Sequence, residues 1–286
     1  MNKKSCTIFF NCMGSAIKKQ LKQSKIFNDK YLIEYISLYD YLEVYKYGDK
    51  TTLIEEHIEL LSKTDLLIVQ SLRKNRKHLN FNNIIKFVKN DCISIKIPQY
   101  TFSGYHYPYN FLNDKNIDIN MSYEKLHDYL TNLFINQKKK IQENLNKELL
   151  HIKELDNISD IKCYDFIKSN HKKILLFNNR QYPTYFLFHF IAQEILNYLN
   201  IDDKISPRYD SFGRDSFEPI FNNVYKYLNL EFKLLKFSID CTIEEYIICC
   251  KKLNVERLYL KNRSYGRNHC KVLNDIIETK NFRPDG

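Results

Sequence analysis

At 286 residues with 44% hydrophobic side chains, the chain is long and apolar enough to bury a sizeable core, which excludes intrinsic disorder. Its formal net charge of +10 is compatible with nucleic acid, an anionic membrane surface or a small polyanion such as a nucleotide cofactor, and selects none of them alone. No apolar stretch approaches the roughly 20 residues of a membrane-spanning helix, the first apolar run is too short for a secretory signal, and the eight cysteines form no CxxC pair, so the expectation is a soluble cytoplasmic protein with reduced thiols and no metal.

In chain order, Thr7 to Phe10 is a short β-prone run that ends at Asn11-Cys12-Met13-Gly14-Ser15, after which Ala16 to Gln23 has the character of a helix. Thr52 to Leu61 has helical spacing, and the apolar run Asp65 to Gln70, bounded by polar residues, suits a buried parallel strand. Phe81 to Lys89 is predicted helical, and Cys92 to Ile97 is predicted as a strand halted by Pro98. A polar, charged stretch without glycine or proline, about residues 122–155, predicts a long helix or helix pair inserted beside the sheet. Ile174 to Phe177 is expected as a fourth strand, followed by the apolar helix Tyr185 to Leu199. A less regular, mostly helical C-terminal lobe, about 202–286, has Tyr225 to Leu230 and Ile243 to Leu253 as its best helices. The alternation predicts one α/β domain, a parallel sheet flanked by helices in three layers, with the ligand site at the carboxyl ends of the strands.

Three turns at those ends carry candidate chemistry. Gly14 is one of only six glycines, and glycine permits a close approach to backbone. Cys12, two residues before it, at a helix start that favours anions and can lower a thiol's pKa, is a nucleophile, a substrate-contacting thiol or a small core residue. Gln70 ends the second strand and is followed by Arg73, Lys74, Arg76 and Lys77, a cluster suited to phosphate because the guanidinium fork binds two oxygens at once. The third turn holds Tyr100, Phe102, Gly104, Tyr105 and His106; its rings are candidates to stack on a sugar or adenine. His106 titrates in the range needed to take a proton from an amine or hydroxyl.

These turns, in this order, resemble the WcbI family of polysaccharide-biosynthesis proteins, whose architecture is related to SGNH hydrolases. Asn11-Cys12 resembles the family's opening Gly-Asn-Cys-Gln, with Phe10 and Met13 departing from it. Ile68-Val69-Gln70 with Arg73 and Arg76 resembles its second block, and Ile97-Pro98, Phe102, Gly104-Tyr105-His106 and Pro108 its third. Gln181-Tyr182-Pro183-Thr184 stands where the family has Asn-His-Pro-Thr, so the histidine of that motif is absent. Glu218-Pro219-Ile220 is similar to a later segment, and the likeness spans roughly residues 5–250.

The resemblance implies binding of coenzyme A and transfer of acetyl from acetyl-CoA to a sugar or amino-sugar nucleotide, such as a nucleotide-linked 4-amino-4,6-dideoxyhexose. Its matched positions are Cys12, Gln70, Arg73, Arg76, His106, Pro183 and Thr184. Together with the reading of the turns they make Asn11, Cys12, Met13, Gly14, Arg73, Lys74, Arg76, Pro183 and Thr184 the candidates for cofactor binding, His106, Cys12 and Gln70 those for catalysis, and Tyr100, Phe102, Tyr105 and Tyr182 those for the acceptor. Two alternatives stay open: an SGNH-type carbohydrate esterase, although the first turn offers a cysteine in place of serine, and a nucleic-acid-binding protein, although no helix-turn-helix or RRM signature is present. No nucleic-acid partner and no membrane span are expected.

Overall fold

The computed structural model describes residues 2–41, 52–71, 79–105, 115–118, 120–209, 220 and 222–232. They fall into two compact units, one formed within 1–100, 151–166 and 185–210, the other within 101–150, 167–184 and 211–286.

The first unit holds a four-stranded parallel sheet of β1 (Lys4–Phe10), β2 (Tyr31–Ser37), β3 (Leu66–Ser71) and β4 (Ile93–Pro98), in the order β2-β1-β3-β4. The two central strands are buried without a break from Cys6 to Phe10 and from Leu66 to Gln70, as strands covered on both faces must be. Phe9 pairs with Ile36 on one side and Val69 on the other, so these side chains share a face. They pack there with Leu61 of α3 (Glu55–Ser62) and Ile84 of α4 (Phe81–Ile84). Phe10 points to the opposite face, where α1 (Met13–Leu21) lies on β1 and β2 and packs against α7 (Tyr185–Tyr198). Helices thus cover both faces, and the fold is the expected α/β type.

Two differences from the sequence reading concern the sheet. β2 is a strand that periodicity does not reveal. It follows directly on α2 (Lys25–Lys30), and its burial departs from strict alternation, with Leu32 exposed and both Glu34 and Tyr35 half-buried. Conversely, Ile174 to Phe177 is not a strand of this sheet. It lies in the second unit, where Phe177 makes an isolated antiparallel bridge to Pro183; a four-residue apolar run satisfies burial without requiring a ladder.

Of the helices, Phe81 to Lys89 resolves into α4 and a 3-10 turn, Ile85–Phe87. The charged stretch is one uninterrupted 34-residue helix, α5 (Tyr123–Asp156). Asp156 ends it inside the first unit. Its Oδ1 accepts from the Tyr100 hydroxyl at 2.8 Å and from the Cys163 N–H at 3.0 Å, and its Oδ2 accepts from the Tyr164 N–H at 2.8 Å. One buried carboxylate therefore closes α5, caps the start of α6 (Tyr164–Asn170) and receives the chain leaving β4.

The second unit centres on Phe102, Tyr105, Phe177 and Phe232. Phe102 stacks on Phe177 with centroids 5.1 Å apart and meets Tyr105 edge-on at 4.8 Å, and Tyr105 meets Phe232 at 5.6 Å. Its described C-terminal helix is α8 (Asn222–Tyr227); Ile243 to Leu253 lies outside the described residues. Among the described residues no helix is long and apolar enough to cross a membrane.

Candidate functional site

The strand order reverses between β1 and β3: the chain leaves β1 to place β2 on one side and leaves β3 to place β4 on the other. In an open parallel sheet such a reversal opens a crevice at the carboxyl ends of the two strands, and ligands bind there. Here those ends are Asn11-Cys12 and Gln70.

A hydrogen bond spans the reversal. The Asn11 N–H donates to Gln70 Oε1 at 2.9 Å, and Gln70 Nε2 donates to Gln99 Oε1, beyond β4, at 3.4 Å. Both Asn11 and Gln70 are buried, so the bond between them is sheltered from water and rigidifies the site. The turn then closes on itself. Met13 N–H donates to Asn11 Oδ1 at 3.0 Å, Gly14 N–H to Asn11 O at 2.9 Å, and Ser15 N–H to Cys12 O at 3.3 Å. The amides of this helix start, expected to favour an anion, are spent within the turn.

Aromatic residues from the end of β2 enclose it. Tyr35 Oη donates to Asn11 O at 2.7 Å, and its ring lies over Gly14 so closely that a β-carbon there would stand 2.6 Å from both the ring and Phe10 Cβ. Burial pushes the Tyr35 phenol up to about 12, against a Ser37 hydrogen bond that lowers it; negative charge at Cys12 or Asp40 raises it further. Tyr35 is therefore a neutral donor near neutral pH. Tyr39, on the 3-10 turn Leu38–Tyr41 that follows β2, places its hydroxyl 3.8 Å from Cys12 Sγ, which donates to it. Asn11, Met13 and Gly14 are buried, while Cys12 and Ser15 stay partly exposed, Ser15 Oγ donating to Cys12 O at 2.8 Å. What the turn presents outward is a thiol and a hydroxyl.

Other anticipated residues occupy different surroundings. Tyr100 in the first unit, and Phe102 and Tyr105 in the second, are buried to within 1%. Tyr100 Oη is engaged by Asp156 and the Ile161 carbonyl, and Tyr105 Oη donates to His171 O at 2.6 Å. Burial raises both phenols well above their ordinary range. The anticipated stacking surface is therefore core: these rings already have protein on their faces. Gly104 serves the same packing, since a β-carbon there would strike the Phe102 ring.

Also in the second unit, Pro183 and Thr184 close a tight antiparallel turn. Thr184 N–H donates to Leu176 O and its Oγ1 to Leu175 O, both at 2.8 Å, and Asn178 N–H donates to Tyr182 O at 2.9 Å. Asn179 Oδ1 accepts from the N–H groups of Gln181 and Tyr182. Tyr182 is half-buried, Pro183 and Thr184 buried. Arg73, Lys74, Arg76, His78 and His106 lie outside the described residues. Sequence reasoning missed Tyr35, Tyr39 and Ser15; the first two were findable only by recognising β2.

Among the described residues no group of three or more His, Cys, Asp or Glu side chains could hold a metal ion. The four described cysteines, Cys6, Cys12, Cys92 and Cys163, are in no disulfide; burial drives the thiols of Cys6 and Cys163 far up and that of Cys92 to about 11.

No family model and no curated protein matches the chain. Among solved structures it is similar to WcbI, described as a novel polysaccharide biosynthesis enzyme, in a native form without a disulfide bond between coenzyme A and one of its cysteines. The likeness covers 98% of this chain and 96% of that one, with a TM-score of 0.65 and 13% identity, and at that identity it concerns the fold.

Proposed function

We propose that this chain transfers acetyl from acetyl-CoA to a sugar or amino-sugar nucleotide in polysaccharide biosynthesis, with coenzyme A at the carboxyl ends of the sheet. The observation that carries this reading is the placement of Cys12: at the reversal between β1 and β3, partly exposed beside Ser15, in a turn whose Asn11, Met13 and Gly14 are buried and which is hydrogen-bonded to itself. The likeness to a protein described together with coenzyme A and a cysteine supports the same reading.

The residues present fit the sulfur end of such a cofactor, because the turn offers a thiol and a serine hydroxyl in place of charge. They do not offer first-turn amides to its phosphates, since those of Met13, Gly14 and Ser15 are engaged. The phosphates are therefore assigned to Arg73, Lys74 and Arg76, and Pro183 and Thr184 remain assigned to cofactor contact. When bound, acetyl-CoA supplies an acyl group activated as a thioester.

The chain then has three tasks. Gln70 and Asn11 hold the turn so that Cys12 lines the acyl site without being acylated; a positioned acceptor attacks directly. His106 takes the proton from the acceptor amine or hydroxyl, help typically worth about 10²–10⁴ in rate. Tyr182 is the described residue assigned to the acceptor.

The test is a panel of sugar nucleotides incubated with acetyl-CoA, with acetylated sugar and free coenzyme A quantified together. Stoichiometric formation of both with one acceptor class is the expected result, and Cys12→Ala should retain a measurable rate. Ester hydrolysis without coenzyme A release would replace this reading by an esterase, and acetyl trapped on Cys12 with ping-pong kinetics would replace direct transfer by a thiol nucleophile.

A further inference from the structure

Two phenols meet the turn that carries Cys12, Tyr35 from β2 and Tyr39 from the 3-10 turn that follows it, and they contact different atoms of it. Tyr35 Oη gives its proton to the Asn11 carbonyl at 2.7 Å. That carbonyl also accepts the Gly14 N–H, so rotating Tyr35 away would uncouple the turn. Tyr39 Oη instead meets the sulfur itself, at 3.8 Å, as acceptor of the thiol hydrogen.

The Tyr39 hydroxyl is delivered by local backbone geometry. β2 ends at Ser37, whose Oγ accepts the Tyr39 N–H at 3.2 Å, and the 3-10 turn that follows returns Tyr39 toward the β1 turn. In-register pairing of Phe10 with Ser37 sets this end of β2 level with the end of β1. Two residues further along the 3-10 turn, Tyr41 is fully buried against Phe9, which anchors the turn carrying Tyr39.

We infer that Tyr39 is a positioning residue for Cys12, its hydroxyl fixing the orientation of the sulfur and turning to donate to it whenever the thiol loses its proton. The inference deepens the reading of Cys12 as part of the acyl site and rests on it for its catalytic meaning only. Chemically the step is a proton exchange of roles: the thiol O···H–S contact is lost as the proton leaves to water, and the phenol O–H rotates to make an O–H···S⁻ contact, with Tyr39 remaining neutral. Hydrogen bonds to a charged partner are the stronger kind, so the phenol favours the thiolate over the thiol.

Alkylation of Cys12 by iodoacetamide, followed across pH by peptide mass spectrometry so that other cysteines are resolved, reads this directly and needs no coenzyme A. In Tyr39→Phe the rate at neutral pH should fall about fivefold, the factor for one hydrogen bond of ordinary worth, with the profile displaced to higher pH. A fluorinated tyrosine placed at 39 keeps the size of the side chain and is a stronger donor, so it should displace the profile to lower pH even if Tyr39→Phe fails to fold. Profiles that move in these opposite directions support the role. An unchanged profile with the fluorinated residue, or in folded Tyr39→Phe, overturns it, whatever the acetyl-transfer panel shows. A displaced profile in a protein that acetylates no sugar would retain the Tyr39 role and discard the acyl site.

Discussion

Gly14 and Cys12 are two residues apart and make opposite demands on the same turn. Cys12 must stay partly open, while Gly14 must admit the Tyr35 ring. Gly14→Ala would place a methyl 2.6 Å from Phe10 Cβ and from Tyr35 Cε2. Phe10 Cβ is fixed to the central strand, so Tyr35 is the group that must move, breaking its bond to Asn11 O. Overpacking of this kind costs about 1–3 kcal/mol, and urea denaturation of Gly14→Ala should show a loss of that size with an unchanged m value. A loss below about 0.5 kcal/mol would mean the turn yields without strain, which overpacking of a native-density core does not allow. Gly14 was legible in the sequence because glycine is so scarce there. Its reason, Tyr35, was not, because the contact crosses from β1 to a strand that the sequence does not announce.

At the scale of elements, the strands that were legible are β1 and β3, whose apolar runs are nearly continuous, and β4, whose Ile93, Ile95 and Ile97 alternate with polar residues up to Pro98. β2 escaped because its Tyr, Leu, Ile and Glu meet an edge environment of mixed exposure, and Ile174 to Phe177 misled because burial in a small core gives the same apolar signature as burial in a sheet. That small core contains a histidine with a consequence for pH. His171, just past the end of α6, is buried, and its Nδ1 stands 2.9 Å from Lys168 O and 3.2 Å from Ile167 O, so Nδ1 carries the proton. Nε2 is enclosed with no partner among the described residues. Burial lowers its affinity for a second proton, the two carbonyls partly oppose this, and the Lys172 charge lowers it further. His189 on α7 is shifted in the same direction, by burial. A depressed folded-state pKa means that the unfolded chain takes up the proton first as pH falls. Stability is therefore complete above the unfolded value near 6.5 and declines as pH drops below it. Denaturation midpoints measured from pH 7.5 to 5.5 should fall, and His171→Gln should flatten part of that slope. A slope unchanged in His171→Gln would assign the pH dependence elsewhere, to His189 first.

For the whole molecule, the net charge of +10 makes any anion a potential ligand, so binding of coenzyme A alone does not separate the proposed function from general attraction to phosphates. Salt separates them. A nucleic acid releases condensed counterions, so a protein making six or more phosphate contacts loses about 10³-fold or more in affinity between 50 and 200 mM salt. A small cofactor has no such atmosphere and is subject to ordinary screening, over a distance of about 8–10 Å at these ionic strengths. On the proposed function, calorimetry should therefore show coenzyme A binding that weakens by less than about tenfold over that range, because the contact proposed with the uncharged turn around Cys12 would be insensitive to screening. The amides of Met13, Gly14 and Ser15 are engaged within that turn, so the remaining salt dependence is assigned to side chains. Arg73→Ala with Arg76→Ala should weaken coenzyme A binding, raise the KM for acetyl-CoA and flatten the salt response, while 3′-dephospho-coenzyme A should lose less on the same substitutions. Unchanged affinity in the double variant would remove Arg73 and Arg76 from the phosphate site. Binding that collapses with salt as steeply as that of a DNA duplex would make the cofactor one polyanion among many, and the proposal of a dedicated coenzyme A site would fall with it.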